Sequence, residues 1–149
     1  MHLNRGTDIG IRALMLAGAH PGQLTVDGMA DALEVSRHHL AKVVQRLQRL
    51  GLLVTTRGRG GGVSCTEAAL DASVRTVVEA LEGNGEVVTC DDPPCPLRGT
   101  CRLRGVLAQA HEAFLAALAG VRIRDLLQDP TGPALVEIQM RPPPARSAT

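Results

Sequence analysis

Ser36-Arg-His-His-Leu-Ala-Lys-Val-Val-Gln-Arg-Leu-Gln-Arg-Leu-Gly51 is the stretch from which the fold is read. Leu40, Val43, Val44, Leu47 and Leu50 recur at the three- and four-residue spacing of one helical face. Ser36 is a good N-cap, and Gly51 stands where a helix ends in a residue at positive φ. Lys42, Arg46 and Arg49 form a second, basic stripe, while Arg37, His38 and His39 fill the first turn. Just upstream, Val26, Met29, Ala30 and Leu33 predict a shorter helix behind Thr25, followed by a turn through Glu34 and Val35. Two short helices with a tight turn, the second basic at its start, read as a helix-turn-helix, whose second helix enters the DNA major groove by its N-terminal end.

Downstream, the β-prone runs at 52–56 and 62–66 flank Arg57-Gly-Arg59-Gly-Gly61, which predicts a hairpin with a mobile basic tip. Arginines on such a tip suit phosphate or minor-groove contact. A nucleotide-phosphate loop is the competing reading, but its Lys-Ser/Thr ending is missing. Cys65 on the returning run is read as core filler. Ser36, Arg37, His38, His39, Lys42, Arg46, Arg57 and Arg59 are the candidate DNA-contacting residues. Neighbouring His38 and His39 point apart on a helix, so they suit DNA better than metal. A helix at 7–19 with Thr7 as its N-cap, and another at 67–81, complete a winged helix-turn-helix domain over residues 1–82.

The segment Cys90-Asp-Asp-Pro-Pro-Cys95-Pro-Leu-Arg-Gly-Thr-Cys101 holds three of the four cysteines. Its prolines and Gly99 exclude a helix or an ordinary strand, so residues 83–102 form a loop held by something other than its own ladder. Metal ligation by thiolates is the favoured reading. The spacing C-x4-C-x5-C lacks the C-x2-C chelate of most structural zinc sites. An iron–sulfur cluster, in which each iron takes its own protein ligand, accommodates wider spacing. Zinc, a disulfide framework and simple burial are the lesser alternatives; three cysteines leave one position for a fourth ligand from elsewhere or for an exchangeable one.

Beyond the loop, Leu103, Leu107, Ala110, Phe114, Ala117 and Val121 alternate steps of four and three, a heptad seam suited to a dimerisation helix. Residues 103–135 are assigned to that helix and a short one near 123–128, and 136–149 to a disordered tail. The fold class is therefore mainly α with a small β-hairpin wing. With one Phe and no Trp or Tyr, the core must be aliphatic. No apolar run is long enough for a membrane span and no signal peptide is recognisable, so a cytoplasmic protein is expected. Residues 36–66 carry six of the 16 Lys and Arg residues and none of the 15 Asp and Glu, a local basic patch that suits a polyanion. Neither C-x-x-C, a nucleotide loop, a Ser/His/Asp set nor paired carboxylates is present, so no enzyme is expected.

With winged domain, cysteine loop and dimer helix in this order, the chain resembles the iron–sulfur winged-helix repressors, and among them the nitric-oxide-sensing type. The resemblance covers residues 1 to about 135 and rests on the stretch 3–14 with Thr7-Asp8, the wing Arg57-Gly-Arg-Gly-Gly-Gly62, and Glu86-Val-Val-Thr-Cys90 running into Cys95 and Cys101. It implies that Cys90, Cys95 and Cys101 hold a [4Fe–4S] cluster, with [2Fe–2S] as the alternative, and that Asp8 of the partner subunit is the fourth ligand. An acidic residue in a helix's first turn is favoured by the macrodipole in any case. The related regulator of cluster supply uses a histidine shortly after its third cysteine; here Arg102, Leu103 and Arg104 occupy that region, and His111 is the next histidine. The resemblance thus implies a homodimeric repressor on double-stranded operator DNA, released by nitric oxide and controlling nitric-oxide detoxification.

Overall fold

The computed structural model describes residues 2–58, 60–83 and 87–140. In order the elements are α1 (Arg5–Ala19), α2 (Val26–Ala32), α3 (Arg37–Arg49), β1 (Leu53–Thr55), β2 (Val63–Cys65), α4 (Glu67–Asp71), α5 (Val74–Glu82), α6 (Arg102–Ala119), a 3-10 turn (Ile123–Leu127) and α7 (Thr131–Met140). The expected mainly α winged helix-turn-helix with a small hairpin is thus the observed fold. Its core is aliphatic: Leu14 and Leu16 of α1, Met29 of α2, Leu40 and Leu47 of α3 and Val77 of α5 are fully buried.

Local chemistry sets the helix ends. Thr25 Oγ1 accepts from Gly28 N at 3.0 Å and Ser36 Oγ from His39 N at 3.4 Å, each satisfying an amide that has no intrahelical partner. Gly51 follows α3 at φ +71, as its place in the sequence required. The turn between α2 and α3 puts Glu34 at φ +53, the one non-glycine at positive φ among the described residues.

The wing pairs Leu53 with Cys65, Val54 with Ser64 and Thr55 with Val63, antiparallel. Leu24 adds a short third edge, exchanging both backbone bonds with Val63 at 2.9 and 2.7 Å. Two glycines make these approaches possible. A Cβ on Gly61 would lie 2.2 Å from the Thr56 carbonyl oxygen, and one on Gly62 would lie 2.7 Å from that of Leu24.

Four expectations require correction. The first helix is capped by Asn4, not Thr7: Asn4 Oδ1 accepts from Thr7 N at 2.9 Å, while Thr7 is buried. Asn4 is held there because its own N and Nδ2 donate to the two carboxylate oxygens of Glu82 at 2.8 and 2.7 Å. The helix expected over 67–81 is broken at Ala72 and Ser73. Val74 N donates to Val121 O at 2.8 Å and Ile123 N to Ala72 O at 3.0 Å, so a distant segment takes over hydrogen bonds that a continuous helix would have made. Ser73 then caps α5 through Thr76 N at 3.1 Å.

The residues of the heptad seam do not share one environment. Phe114 packs against the chain's own core whereas Leu103 is 61% exposed, and beside the seam Leu115 is buried while Val106 is 60% exposed. Finally, α7 runs to Met140, past residue 136 where the tail was expected to begin, because Leu135 is buried and Ile138 packs on the core. Residues 141–149 lie outside the described residues. No helix among the described residues is long and apolar enough to cross a membrane.

Candidate nucleic-acid interface and cysteine loop

The first turn of α3 presents exposed Ser36, Arg37 and His38 with half-buried His39, and Lys42 lies exposed one turn on. The buried stripe Leu40, Val43, Val44 and Leu47 fixes this orientation by facing α1 and α2. Arg37 pairs with Asp27 in the first turn of α2, which ties the two helices at the end expected to meet DNA. Asp27 was not singled out from the sequence, although an acid one helix before a basic N-terminus is the signal that could have found it. Arg46 is exposed on the last turn, yet its guanidinium donates to the Ala80 carbonyl at the end of α5, at 3.1 Å. Arg57 is exposed on the wing; Arg59 lies outside the described residues. The structure therefore brings the α3 residues and Arg57 to exposed positions while engaging two of the α3 arginines internally.

The cysteine loop leaves α5 at Gly83, which is at φ +77, and ends where Cys101 begins α6. Residues 84–86, including Glu86, lie outside the described residues. Successive turns fold the rest: Cys95 N donates to Cys90 O at 3.0 Å, Arg98 N to Cys95 O at 3.1 Å, and Thr100 N to Leu97 O at 3.0 Å. An Arg98–Asp91 ion pair at 2.6 Å closes the loop across its surface. Cys90 is buried and Cys95 and Cys101 are half-buried; all are free thiols. Cys101 makes no side-chain capping bond, so its sulfur is not committed to the helix it starts.

Among the described residues, no three His, Cys, Asp or Glu side chains converge on one ion position. A [4Fe–4S] cluster makes no such demand, because each of its thiolate ligands binds a different iron. Three uncommitted thiols on one turn-rich loop are a donor set that fits a cluster better than a single zinc. Cys65 stands apart on β2, its thiol pushed up to about 11 by burial, with the charge of Glu67 adding to the effect. A thiol so hard to ionise is a poor ligand. Asp8 lies in the first turn of α1, its side chain 42% exposed and paired with Arg12 at 2.9 Å. Within its own chain it is bound to arginine rather than to the cysteine loop.

Two further features were missed. The Asn4–Glu82 clamp joins residues separated by 78 positions, so no local pattern could reveal it. A cavity of about 370 Å³ lies beside it, lined by His2, Leu3, Val78, Glu82, Val87 and Phe114 among others. His111 also lines this cavity, and its buried Nδ1 has no partner among the described residues.

Residues 3–129 match the family model described as Rrf2, iron-dependent transcriptional regulator. The chain is 45% identical over 146 residues to the HTH-type transcriptional repressor NsrR of Streptomyces coelicolor, covering 95% of this chain and 99% of that protein. It is 36% identical over 134 residues to the HTH-type transcriptional regulator NsrR of Bacillus subtilis, covering 87% and 92%. Among solved structures it is similar to T. potens IscR, with a TM-score of 0.68 at 19% identity over 87% of this chain and 88% of that one. The global cysteine regulator CymR of B. subtilis is also similar, with a TM-score of 0.64 at 22% identity over 85% and 95%. At these identities the two structures bear on the fold alone.

Proposed function

The chain belongs to the Rrf2 family of transcriptional regulators and is similar to NsrR proteins, and from that premise we propose that it is a homodimeric, cytoplasmic repressor that binds operator DNA with an iron–sulfur cluster in place and leaves it in response to nitric oxide. It is a regulator, not an enzyme. The observation that carries the proposal is the loop joining α5 to α6, which gathers three free thiols between the DNA-binding domain and the long helix.

In this reading Cys90, Cys95 and Cys101 hold a [4Fe–4S] cluster, and Asp8 of the partner subunit supplies the fourth ligand. When bound, the cluster supplies iron that nitric oxide attacks. The chain's own residues supply the rest. A carboxylate is a hard ligand and binds such iron less firmly than thiolate, so the Asp8 position is the weak point of the set. Arg12, already paired with Asp8, holds that carboxylate in one orientation. Two copies joined through the exposed part of α6 present two α3 N-termini to half-sites about 34–36 Å apart. Lys42 and Arg57 then neutralise phosphates while Ser36, Arg37, His38 and His39 face the groove. A hundredfold loss of operator affinity needs about 2.7 kcal/mol of coupling, within the usual range. The genes controlled are those of nitric-oxide detoxification.

Anaerobically purified protein tests this directly. We expect about four irons and equivalent sulfide per chain, visible absorption that nitric oxide bleaches, and parallel loss of operator binding. With no Trp or Tyr, the polypeptide adds almost nothing to the near-ultraviolet spectrum that would obscure the cofactor. A colourless protein with one zinc per chain would overturn the sensing mechanism; two irons per chain with a response to oxidant or iron would favour a regulator of iron–sulfur supply.

A further inference from the structure

Arg46 lies in the last turn of α3, away from the N-terminal end that a helix-turn-helix offers to DNA. Its Nη2 reaches the Ala80 carbonyl oxygen at 3.1 Å. Ala80 is in the last turn of α5, where carbonyls lack intrahelical donors and the helix dipole favours a cation. The next residues of α5 lead directly into the cysteine loop: Glu82 grips Asn4, and Gly83 opens the chain.

The end of α5 and the middle of α3 also pack on a common residue of α1. A Cβ on Gly10 of α1 would lie 2.7 Å from Leu81 Cδ1 and 3.5 Å from Val43 Cγ1. Leu81 of α5 and Val43 of α3 therefore both pack over one glycine of α1, so the end of α5 is linked to the recognition helix directly by Arg46 and indirectly through α1. A shift of the last turn of α5 moves the point to which α3 is anchored.

We propose that Arg46 is a positioning residue that couples the cysteine loop to the recognition helix through the Ala80 carbonyl, rather than a phosphate contact. The inference rests on the proposed cluster-dependent DNA binding and adds the route by which the loop reaches α3. Coupling and phosphate contact predict different numbers. Removing a phosphate contact weakens cluster-loaded and cluster-free protein alike and lowers the slope of log affinity against log salt by about 1. Removing a coupling contact leaves the slope unchanged and brings the two affinities together.

The experiment uses full-length dimer, loaded and cluster-free, on an inverted-repeat duplex selected from random DNA with the loaded protein. Affinities are measured across a salt series for the wild type, Arg46→Met, Arg46→Lys and Lys42→Ala. We expect the loaded-to-free affinity ratio to fall about tenfold in Arg46→Met, with iron content and salt slope as in the wild type. Arg46→Lys, which keeps a cation at the end of α5, should recover much of the ratio, and Lys42→Ala should lower the slope with the ratio intact. An Arg46→Met protein that keeps its ratio and loses slope overturns the proposal while leaving the sensor standing. Should Arg46→Met fold poorly, Arg46→Gln, which removes the charge but keeps a donor for the Ala80 carbonyl, takes its place, and a lowered slope with the loaded-to-free ratio unchanged overturns the proposal equally. A wild type whose loaded and free forms bind alike removes the underlying function itself.

Discussion

Cys65 and the three loop cysteines illustrate how one residue type serves two ends. On β2 the Cys65 side chain turns inward beside Leu53, and burial together with Glu67 raises its thiol to about 11. Because the folded value exceeds the ordinary one of 9.0, the neutral thiol's contribution to stability is complete below about pH 9 and is lost as pH rises toward 11. Denaturation midpoints measured across that interval should fall more in the wild type than in Cys65→Ala. Iodoacetamide at neutral pH should modify half-buried Cys65 more slowly in the folded protein than after unfolding; equal labelling rates would contradict its packing. This packing role was legible in the sequence, since Cys65 alternates with Val63 on a β-prone run. The cap of the first helix was not legible. Thr7-Asp8 has the composition of a helix start, but Glu82 fixes Asn4 from the far end of the domain.

For the elements, what could be read locally was read correctly and what depended on distant partners was not. The stripe of α3, its Ser36 cap and Gly51 are short-range signals, and they sufficed to place the recognition helix. The break between α4 and α5 depends on Val121 and Ile123, which dock only after the chain has made the whole cysteine loop and α6. In α7, Pro130 and Pro133 obscured a helix that the burial of Leu135 stabilises. The wing offers a sharp test of element geometry. Gly61→Ala forces a Cβ against the Thr56 carbonyl, so the tip must rearrange at a cost of roughly 1–3 kcal/mol. Gly99→Ala, which meets open space, should be close to neutral. Thermal melts of the pair would show the contrast, and an unaffected Gly61→Ala protein would mean that the tip does not hold this conformation.

The whole molecule is built as a DNA-binding domain to which the second half of the chain returns. The sequence revealed the order of domain, loop and helix, and the thiols of the candidate centre; it did not show which part of α6 belongs to the chain's own core. That division follows from three-dimensional packing: Phe114 and Leu115 turn toward α5, leaving Leu103 and Val106 exposed. Replacing Leu103 and Val106 with Glu should therefore yield monomers in analytical ultracentrifugation with the winged domain still folded. A dimer that survives both changes would place the subunit contact elsewhere.

The bonds from Val121 and Ile123 to residues 74 and 72 pin α6 at its C-terminal end, next to the domain it serves. Its opposite end carries Cys101. The nine residues before His111 span about 13 Å of helix, so a tilt of about 10° about the packed half would displace the Cys101 end by about 2 Å. In leverage terms, α6 has its fulcrum where it joins the chain's own core, and small angular changes at that joint would be magnified into distance at the cysteine end.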